Sequence, residues 1–253
     1  MVKFFSLFIF IAILSSCSSN EKKSKEQAYY HLKIGTSHLK NKNYPAALSS
    51  LLEANRLDKM NPLIYNNLGL AYFVREKYKI SEKNILKALS LDPKYTDARI
   101  NLGALYIHTK RYNLAIKTLK IATEDLTYGI PEKSYTNLGI AYFKSKQYEK
   151  AKYYFKKSLK LRQNSCQTFN YYGRSLYELK MYEQSAPSFD RAEILCQRQK
   201  FEEPKFYGAL SYLKIGKREL AVTKLREVVR NYPQSSFAKR ANKLLKLLNK
   251  ASL

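Results

Sequence analysis

Cysteine and histidine are the residues of this chain best suited to carry chemistry, and there are three of each. His31 and His38 are seven residues apart, which places them on one face of a helix, and His108 stands alone. A metal site or a nucleophilic centre needs further ligands or a nucleophile beside its base, and neither accompanies these histidines. The motifs HExxH and GxSxG and the glycine-rich loops that hold phosphate are absent as well. We therefore expect no enzyme activity, no metal and no small-molecule substrate, with the histidines standing in for amphipathic aromatic residues.

The N-terminal segment has the composition of a secretion signal. Lys3 is followed by an apolar run from Phe4 to Leu14. That run is shorter than the roughly 20 residues that a helix needs to span a bilayer, and a short apolar run behind a positive charge is typical of a signal peptide. We expect residues 1–16 to be such a signal.

The end of this segment, Leu-Ser-Ser-Cys at Cys17, resembles the lipobox of bacterial lipoproteins. In that motif the cysteine thiol receives a diacylglyceryl group and the signal is cleaved before it. The resemblance implies a covalent lipid on Cys17 as the only non-protein group. Because Ser18 rather than Asp follows the cysteine, it also implies an anchor in the outer membrane, on the periplasmic side. The alternative is a plain signal peptide with a coincidental cysteine.

Residues 17–27 form the next segment, and its stretch SSNEKKSKE contains no apolar residue. Segments that have nothing to bury stay solvated. The composition predicts a short, solvated, lipidated tether ahead of the folded part.

A pattern typical of a helical hairpin recurs down the rest of the chain. Its clearest copy starts at Pro62, with small residues at Gly69 and Ser81 where two antiparallel helices cross closely and with Pro93 ending the second helix. The glycine position returns at intervals of 34 or 36 residues, at Gly35, Gly69, Gly103, Gly139, Gly173 and Ala209. A single hairpin has no closed core, so the six copies must stack on one another.

This pattern resembles the tetratricopeptide repeat. The signature YxxLGxxY is matched at Tyr65–Tyr72 and at Tyr135–Tyr142, although the chain contains no Trp and has Tyr or Phe in its place. The second helices carry the expected alanines at Ala47, Ala115, Ala151 and Ala221. The resemblance implies an all-α fold, a right-handed superhelical solenoid of six helical hairpins over residues 28–236.

The last segment, residues 237–253, includes FAKRANKLLKLLNK, in which leucines oppose a face of Lys and Arg. An amphipathic helix after the last repeat is typical of a cap that covers the open side of a repeat array. A helix lying on a membrane surface is the alternative.

Two cysteines remain once Cys17 is assigned to lipid. Cys166 and Cys196 occupy the first and the thirty-first position of the fifth unit, and these two ends of an antiparallel hairpin lie side by side. Export to an oxidising compartment then predicts a disulfide between them. The alternative is a pair of buried free thiols.

The repeat resemblance also implies a binding groove, because in this family particular positions of each first helix line a concave face. Carried over, these positions are mostly apolar, and the predicted partner-binding groove consists of Tyr29, Leu32, Leu39, Leu63, Asn66, Leu70, Phe73, Val74, Ile100, Ile107, Ile140 and Phe143. The corresponding positions of the fifth unit are polar, Asn170 and Arg174 among them. We expect the groove to bind an apolar or amphipathic segment of a partner protein. The alternative is that the chain covers this strip itself.

The charge of the chain is strongly basic, with 46 Lys and Arg residues, 20 Asp and Glu residues and a net charge of +26. Such a balance first indicates nucleic acid. Here the basic residues are spread over every unit, no RNA-binding aromatic signature is present, and an exported protein does not meet nucleic acid by default. We expect no nucleic-acid partner. A solvated lysine-rich surface is the simpler interpretation, and attraction to anionic lipid headgroups is the alternative.

The lipobox, the short tether, the six repeats and a small insertion between the third and fourth repeats, within Ile121–Gly139, occur together here. This combination is similar to the PilF/PilW/Tgl family of type IV pilus pilotins. The resemblance implies a lipid-anchored protein of the outer membrane that binds a secretin subunit of the pilus machinery and promotes its localisation and ring assembly. The alternative is a general protein-binding scaffold lipoprotein of another envelope complex.

Overall fold

The computed structural model describes residues 2–197 and 201–250, with side chains from residue 21 onward. Over these residues the chain forms helices and no strand. The helices are α1 (Val2–Lys40), α2 (Tyr44–Leu57), α3 (Pro62–Val74), α4 (Tyr78–Leu91), α5 (Thr96–His108), α6 (Tyr112–Thr123), α7 (Pro131–Lys144), α8 (Tyr148–Leu161), α9 (Cys166–Glu178), α10 (Tyr182–Cys196), α11 (Glu203–Lys214), α12 (Arg218–Asn231) and α13 (Ser236–Lys250). The expected all-helical array of stacked hairpins is confirmed.

Each turn within a hairpin uses a residue with left-handed backbone. The residues are Lys42, Glu76, Lys110, Lys146 and Lys180, with φ between 59° and 61°, and Gly216, with φ of 77°. They recur at the same intervals of 34 or 36 residues as the glycine positions. In the first turn the amide of Lys42 donates to the carbonyl of Leu39 at 3.1 Å, and the amide of Asn43 donates to that of His38 at 2.9 Å. These bonds satisfy carbonyls that the end of a helix leaves free.

The two helices of a hairpin cross closely at the glycine position. A Cβ atom placed on Gly69 would lie 2.4 Å from Cγ1 of Ile85, and one placed on Gly139 would lie 2.6 Å from Cε1 of Phe155. The hydroxyl of Ser81 donates to the carbonyl of Gly69 at 2.8 Å, so the small residue on the second helix also bonds the two helices together. The repeated glycine is therefore required by the closeness of the crossing.

The chain divides into two compact units, one ending at Leu105 and the other beginning at Tyr106. In the first unit, α1 packs on α2, α2 on α3, and α3 on α4. Its core includes Ala28, Leu51, Ile64 and Leu68, all of which are buried.

The second unit contains the hairpins α7–α8, α9–α10 and α11–α12, and each packs on the next. Helix α13 then packs on α12 and α11. Ala238 and Ala241 of α13 are fully buried, and Phe237, Leu244 and Leu248 pack against the same core. The apolar face of α13 therefore covers the last hairpin.

The segment expected to be a short, solvated tether is helical in the part whose side chains the structure describes, and most of its residues are exposed. Residues 21–27 continue α1, with an ion pair of 2.6 Å between Glu21 and Lys25 one helical turn apart. The hydroxyl of Ser24 donates to the carbonyl of Leu57 at 3.0 Å. Once Ala28 and the following turns are packed, each further residue adds a backbone hydrogen bond without a new nucleation step, and Glu and Lys are good helix formers. The Cys17 side chain lies outside the part described, so its lipidation stays a prediction.

Candidate protein-binding surface

The residues predicted to line a groove divide into two sets by burial. Leu32, Asn66, Ile100, Ile140 and Phe143 are each at most 7% exposed. A partner cannot reach them without rearranging the core. The prediction that these five form an accessible surface is wrong, because their side chains are buried within the stack. Leu32 belongs to the core of the first unit, and Phe143 packs against Tyr171 and Arg174 of the following hairpin.

The other predicted residues are accessible. Tyr29, Leu63 and Val74 are 40–54% exposed, and Leu39, Leu70, Phe73 and Ile107 are half-buried. Six of the seven lie on α1 and α3 of the first unit, and these helices are in contact. We call this set the α1/α3 strip; its members are Tyr29, Leu39, Leu63, Leu70, Phe73 and Val74.

Polar side chains of α1, α3 and α5 in the first unit bond to one another. The amide of Asn67 donates to the hydroxyl of Thr36 at 2.8 Å. The amide of Asn101 donates to the Asn66 side-chain carbonyl at 2.8 Å, and the Asn66 amide donates to the Tyr95 hydroxyl at 3.2 Å. Burial raises the pKa of Tyr95 to about 12, so this hydroxyl stays neutral. These groups are satisfied internally, so the neighbouring strip offers mainly apolar contact.

In the second unit Arg174 lies over Phe143, one of the residues predicted to line the groove. Its guanidinium lies over the rings of Phe143, at 5.1 Å, and Tyr207, at 4.3 Å, and forms an ion pair with Glu203. Stacking of this kind is favourable because the ring face is negative. Sequence reasoning recognised that the fifth repeat is polar here, but nothing in one repeat reveals that its arginine covers an aromatic residue of the repeat before.

Beside Arg174 lies an open, largely polar cavity of about 700 Å³, lined by Arg162, Gln167, Asn170, Tyr171, Phe201 and Glu203. The side-chain oxygen of Asn170 is buried and has no hydrogen-bond partner. This cavity differs in character from the apolar α1/α3 strip, and only the strip matches the predicted apolar or amphipathic ligand.

Cys166 and Cys196 are joined by a disulfide, with their Cα atoms 5.2 Å apart. The bond links the first residue of α9 to the last residue of α10. Phe169, Leu195 and Phe201 pack around it. The fifth hairpin is therefore closed covalently at its open end.

A network of charges joins α10, α11 and α12. Lys205 is 2.9 Å from Glu193 and is also paired with Glu227, and Lys224 is 2.8 Å from Glu193 and 2.9 Å from Asp190. Burial alone would lower the pKa of both lysines, but the bonds to their acidic partners outweigh burial and raise it. The network pairs charges of α10 with those of α11 and α12, and charges of α11 with those of α12, so Lys205 and Lys224 are both neutralised within it.

Tyr212 extends this network by donating its hydroxyl to Asp190. Burial, together with that hydrogen bond, raises the pKa of Tyr212 to about 12.

Residues 21–197 and 201–250 contain no cluster of three His, Cys, Asp or Glu side chains that could hold a metal ion. No helix in that part of the chain is long and apolar enough to cross a membrane.

Family models of the tetratricopeptide repeat match four stretches of the chain, residues 35–74, 66–126, 132–165 and 206–235. The matched stretches agree with the hairpins and their recurring turns. The chain is a tetratricopeptide-repeat protein. Such arrays are typically non-catalytic scaffolds that present extended surfaces to other proteins.

Solved structures resemble the chain over most of its length. PilF of Pseudomonas aeruginosa is 22% identical, with a TM-score of 0.77, and the match covers 87% of this chain and 99% of PilF. PilW, described as a widely conserved type IV pilus biogenesis factor, is 19% identical, with a TM-score of 0.77, covering 84% of this chain and 97% of PilW. YrrB, described as having an unusual peptide-binding site, is 19% identical, with a TM-score of 0.60, covering 76% of this chain and 97% of YrrB. At these identities the likeness establishes the shared fold. No curated protein sequence matches the chain.

Proposed function

We propose that this tetratricopeptide-repeat protein is a pilotin-like assembly factor that binds a secretin subunit and promotes its outer-membrane localisation and ring assembly for type IV pilus biogenesis. The observation that carries the proposal is the match to PilF and PilW over 99% and 97% of their chains. YrrB is covered to a similar extent, 97%, but its TM-score is 0.60 against 0.77 for PilF and PilW, so the hairpins of this chain superpose better on those of the two pilus proteins. The lipobox-like end of the leader supports the same proposal, because a pilotin must be held at the membrane where the ring assembles.

In this proposal the protein is a lipoprotein of the outer membrane, anchored by lipid on Cys17 and facing the periplasm. Acyl chains contribute about 0.8 kcal/mol for each buried CH₂ group, so more than one chain gives stable anchoring. The lipid is the only non-protein group the proposal requires.

The α1/α3 strip is the proposed contact for the secretin subunit. Leu63 and Val74 lie at opposite ends of α3 and are 45% and 40% exposed. Covering a fully exposed side chain of this size contributes about 1.5–3 kcal/mol, so several partly exposed residues together can supply a useful share of the binding free energy. An amphipathic helix from the partner fits a strip of this kind.

The experiment is recovery of the secretin from membranes with tagged protein, comparing two double variants. Leu63→Gln with Val74→Gln changes the strip, whereas Leu52→Gln with Leu86→Gln changes two residues that are each 46% exposed on the second helices α2 and α4. Neither pair is buried, so both variants should keep the melting temperature close to that of the parent. We expect the strip variant to lose the secretin and the control variant to keep it.

Two outcomes would contradict this proposal in different ways. If the parent protein recovers no secretin from cells that make one, the assembly function is wrong. If both double variants recover it equally, the function stands but the binding surface lies elsewhere.

A general protein-binding scaffold of another envelope complex is the second candidate. The resemblance to YrrB, whose description names a peptide-binding site, favours it. Recovery of a different envelope protein that depends on the same strip would support this candidate over the first.

A further inference from the structure

We propose that the outward face of α13 is an electrostatic docking surface for an anionic phospholipid bilayer. Four lysines of this helix, Lys239, Lys243, Lys246 and Lys250, are exposed; we call them the lysine ridge. This inference is independent of the secretin proposal, because it concerns a different element and a different kind of partner.

The ridge is confined to a narrow sector of the helix. Successive residues of an α-helix are about 100° apart, so these four lysines fall within about 60° of the circumference, and along about 16 Å of the helix axis. The buried face of α13, with Ala238, Ala241, Leu244 and Leu248, is on the opposite side and packs on the last hairpin. The sequence left two interpretations of this helix, a cap on the repeats and a helix lying on a membrane surface. The apolar face of α13 forms the cap, and the ridge on its other side is exposed to solvent, where it could contact a membrane.

The charge of the ridge is not neutralised within the part of the chain that the structure describes. Helix α13 has no acidic residue, and none of the four lysines forms an ion pair with another described residue. Residues 203–250 contain twelve basic residues and three acidic ones, and two of these acids, Glu203 and Glu227, are already paired with Arg174 and Lys205. Arg240, the other basic residue of α13, stacks on Phe206 at 4.5 Å instead of joining the ridge.

The chemistry of the ridge fits a lipid surface better than a folded partner. A single convex helix with flexible lysines offers no pocket and no rigid array of donors, but it can settle on a deformable layer of headgroups. Leu247 lies next to Lys243, Lys246 and Lys250 and is 57% exposed. An apolar side chain beside lysines is suited to the boundary between headgroups and acyl chains, because the lysine heads can reach outward while the leucine enters.

The expected size of the effect follows from the number of charges. Each basic residue near an anionic membrane surface strengthens binding about fivefold, so removing four should weaken binding by roughly several hundredfold. The attraction acts over roughly a Debye length, about 10 Å at 0.1 M salt, so it should fall steeply as salt is added.

The test is flotation of the full chain with vesicles of phosphatidylcholine alone and of phosphatidylcholine with phosphatidylglycerol. All samples carry Cys17→Ser, so no lipid anchor contributes, and any apolar binding by the leader cancels in the ratio between the two vesicle types. The test variant changes the four ridge lysines to Gln. The control variant changes four scattered exposed lysines, Lys40, Lys59, Lys83 and Lys94, to Gln and so has the same net charge.

We expect the ridge variant to lose roughly several hundredfold of its preference for anionic vesicles, and the control variant to lose much less. An equal loss in both variants would show that net charge alone is responsible and would overturn the docking surface. If the parent chain shows no preference for anionic vesicles, the proposed docking surface is wrong. That result is also expected if the true partner of the ridge is an acidic protein. Circular dichroism of both variants checks that α13 and the repeats remain folded.

Discussion

Replacing Gly139 with Ala tests how closely the helices of a hairpin cross. The added Cβ would lie 2.6, 2.7 and 3.0 Å from three ring atoms of Phe155. Phe155 is fully buried and stacks on Tyr171 with ring centroids 6.0 Å apart, so the ring cannot move alone. To reach an ordinary contact of about 3.4 Å it would have to shift by roughly 0.8 Å, and that shift would pass into the next hairpin.

Two opposing effects set the sign of this substitution. Ala is favoured over Gly inside a helix by about 1 kcal/mol, whereas forcing an extra methyl into a packed core costs about 1–3 kcal/mol. At Gly139 we expect the steric effect to win, lowering the free energy of unfolding by about 1–2 kcal/mol. At Gly173 the nearest atom of Phe189 is 3.0 Å away, so a smaller movement is enough and the two effects should nearly cancel. At Gly129 no atom lies within 4 Å, and Ala there should be neutral or slightly stabilising.

Urea unfolding, monitored by circular dichroism, measures the free energy of unfolding of the three single variants. A second cycle combines Gly139→Ala with Phe155→Leu, which removes the ring edge that the methyl would strike. We expect the double variant to be less destabilised than the two single changes added together, by about 0.5–2 kcal/mol. If Gly139→Ala is as stable as Gly129→Ala, or if the double variant is simply additive, the close crossing is not what requires glycine at this position.

Three further predictions concern single features of the structure. Replacing Cys166 and Cys196 together with Ser opens a loop of 30 residues, so it should lower the unfolding free energy by about 3.5 kcal/mol and leave the helical signal intact; peptide mapping without reductant that finds both thiols free would contradict the disulfide. Tyr212 has a folded pKa of about 12, above its ordinary value of about 10, so its contribution to stability is present below about pH 10 and is lost as the pH rises through about 12. The fall in stability over that range should be smaller in Tyr212→Phe, and an unchanged fall would show that the bond to Asp190 contributes nothing. Leu68→Ala, at a residue only 2% exposed, should cost about 2–5 kcal/mol in urea unfolding, and a loss under about 0.5 kcal/mol would place Leu68 outside the core.

The fold could be predicted from the sequence because the close crossing restricts one position of every hairpin. A larger residue at Gly69 would strike Ile85, so the small residue recurs at a fixed interval and marks each copy. The left-handed turns recur at the same interval, but five of the six described turns use Lys or Glu. Lys and Glu are not residue types that predict a left-handed turn, so these turns can be located only from the register of the repeats.

The binding surface could be predicted only in part. The position of a residue in the repeat predicts which face of the helix it lies on, but not whether side chains of the adjacent hairpin bury it. Repeat position predicts an accessible Asn66, but Asn101 and Tyr95 from the following hairpin bond to its side chain, which is only 3% exposed. Phe143 is covered by Arg174, which is 31 residues away in sequence. Such cover depends on the length and flexibility of side chains in the adjacent hairpin, and one repeat read by itself does not contain that information.

The continuous helix from residue 21 into the first hairpin affects how far an anchored protein could search for a partner. A flexible tether lets the attached domain sample a broad volume, whereas a helix advances 1.5 Å per residue along a fixed line. With lipid on Cys17, as proposed, the described turns between Glu21 and Ala28 would act as a stiff spacer of about 10 Å. Stiffness raises the effective concentration of the repeats for partners at one height and orientation above the bilayer, and lowers it for all others. Selection among membrane-bound partners would then depend on where a binding segment emerges from the membrane as well as on its sequence.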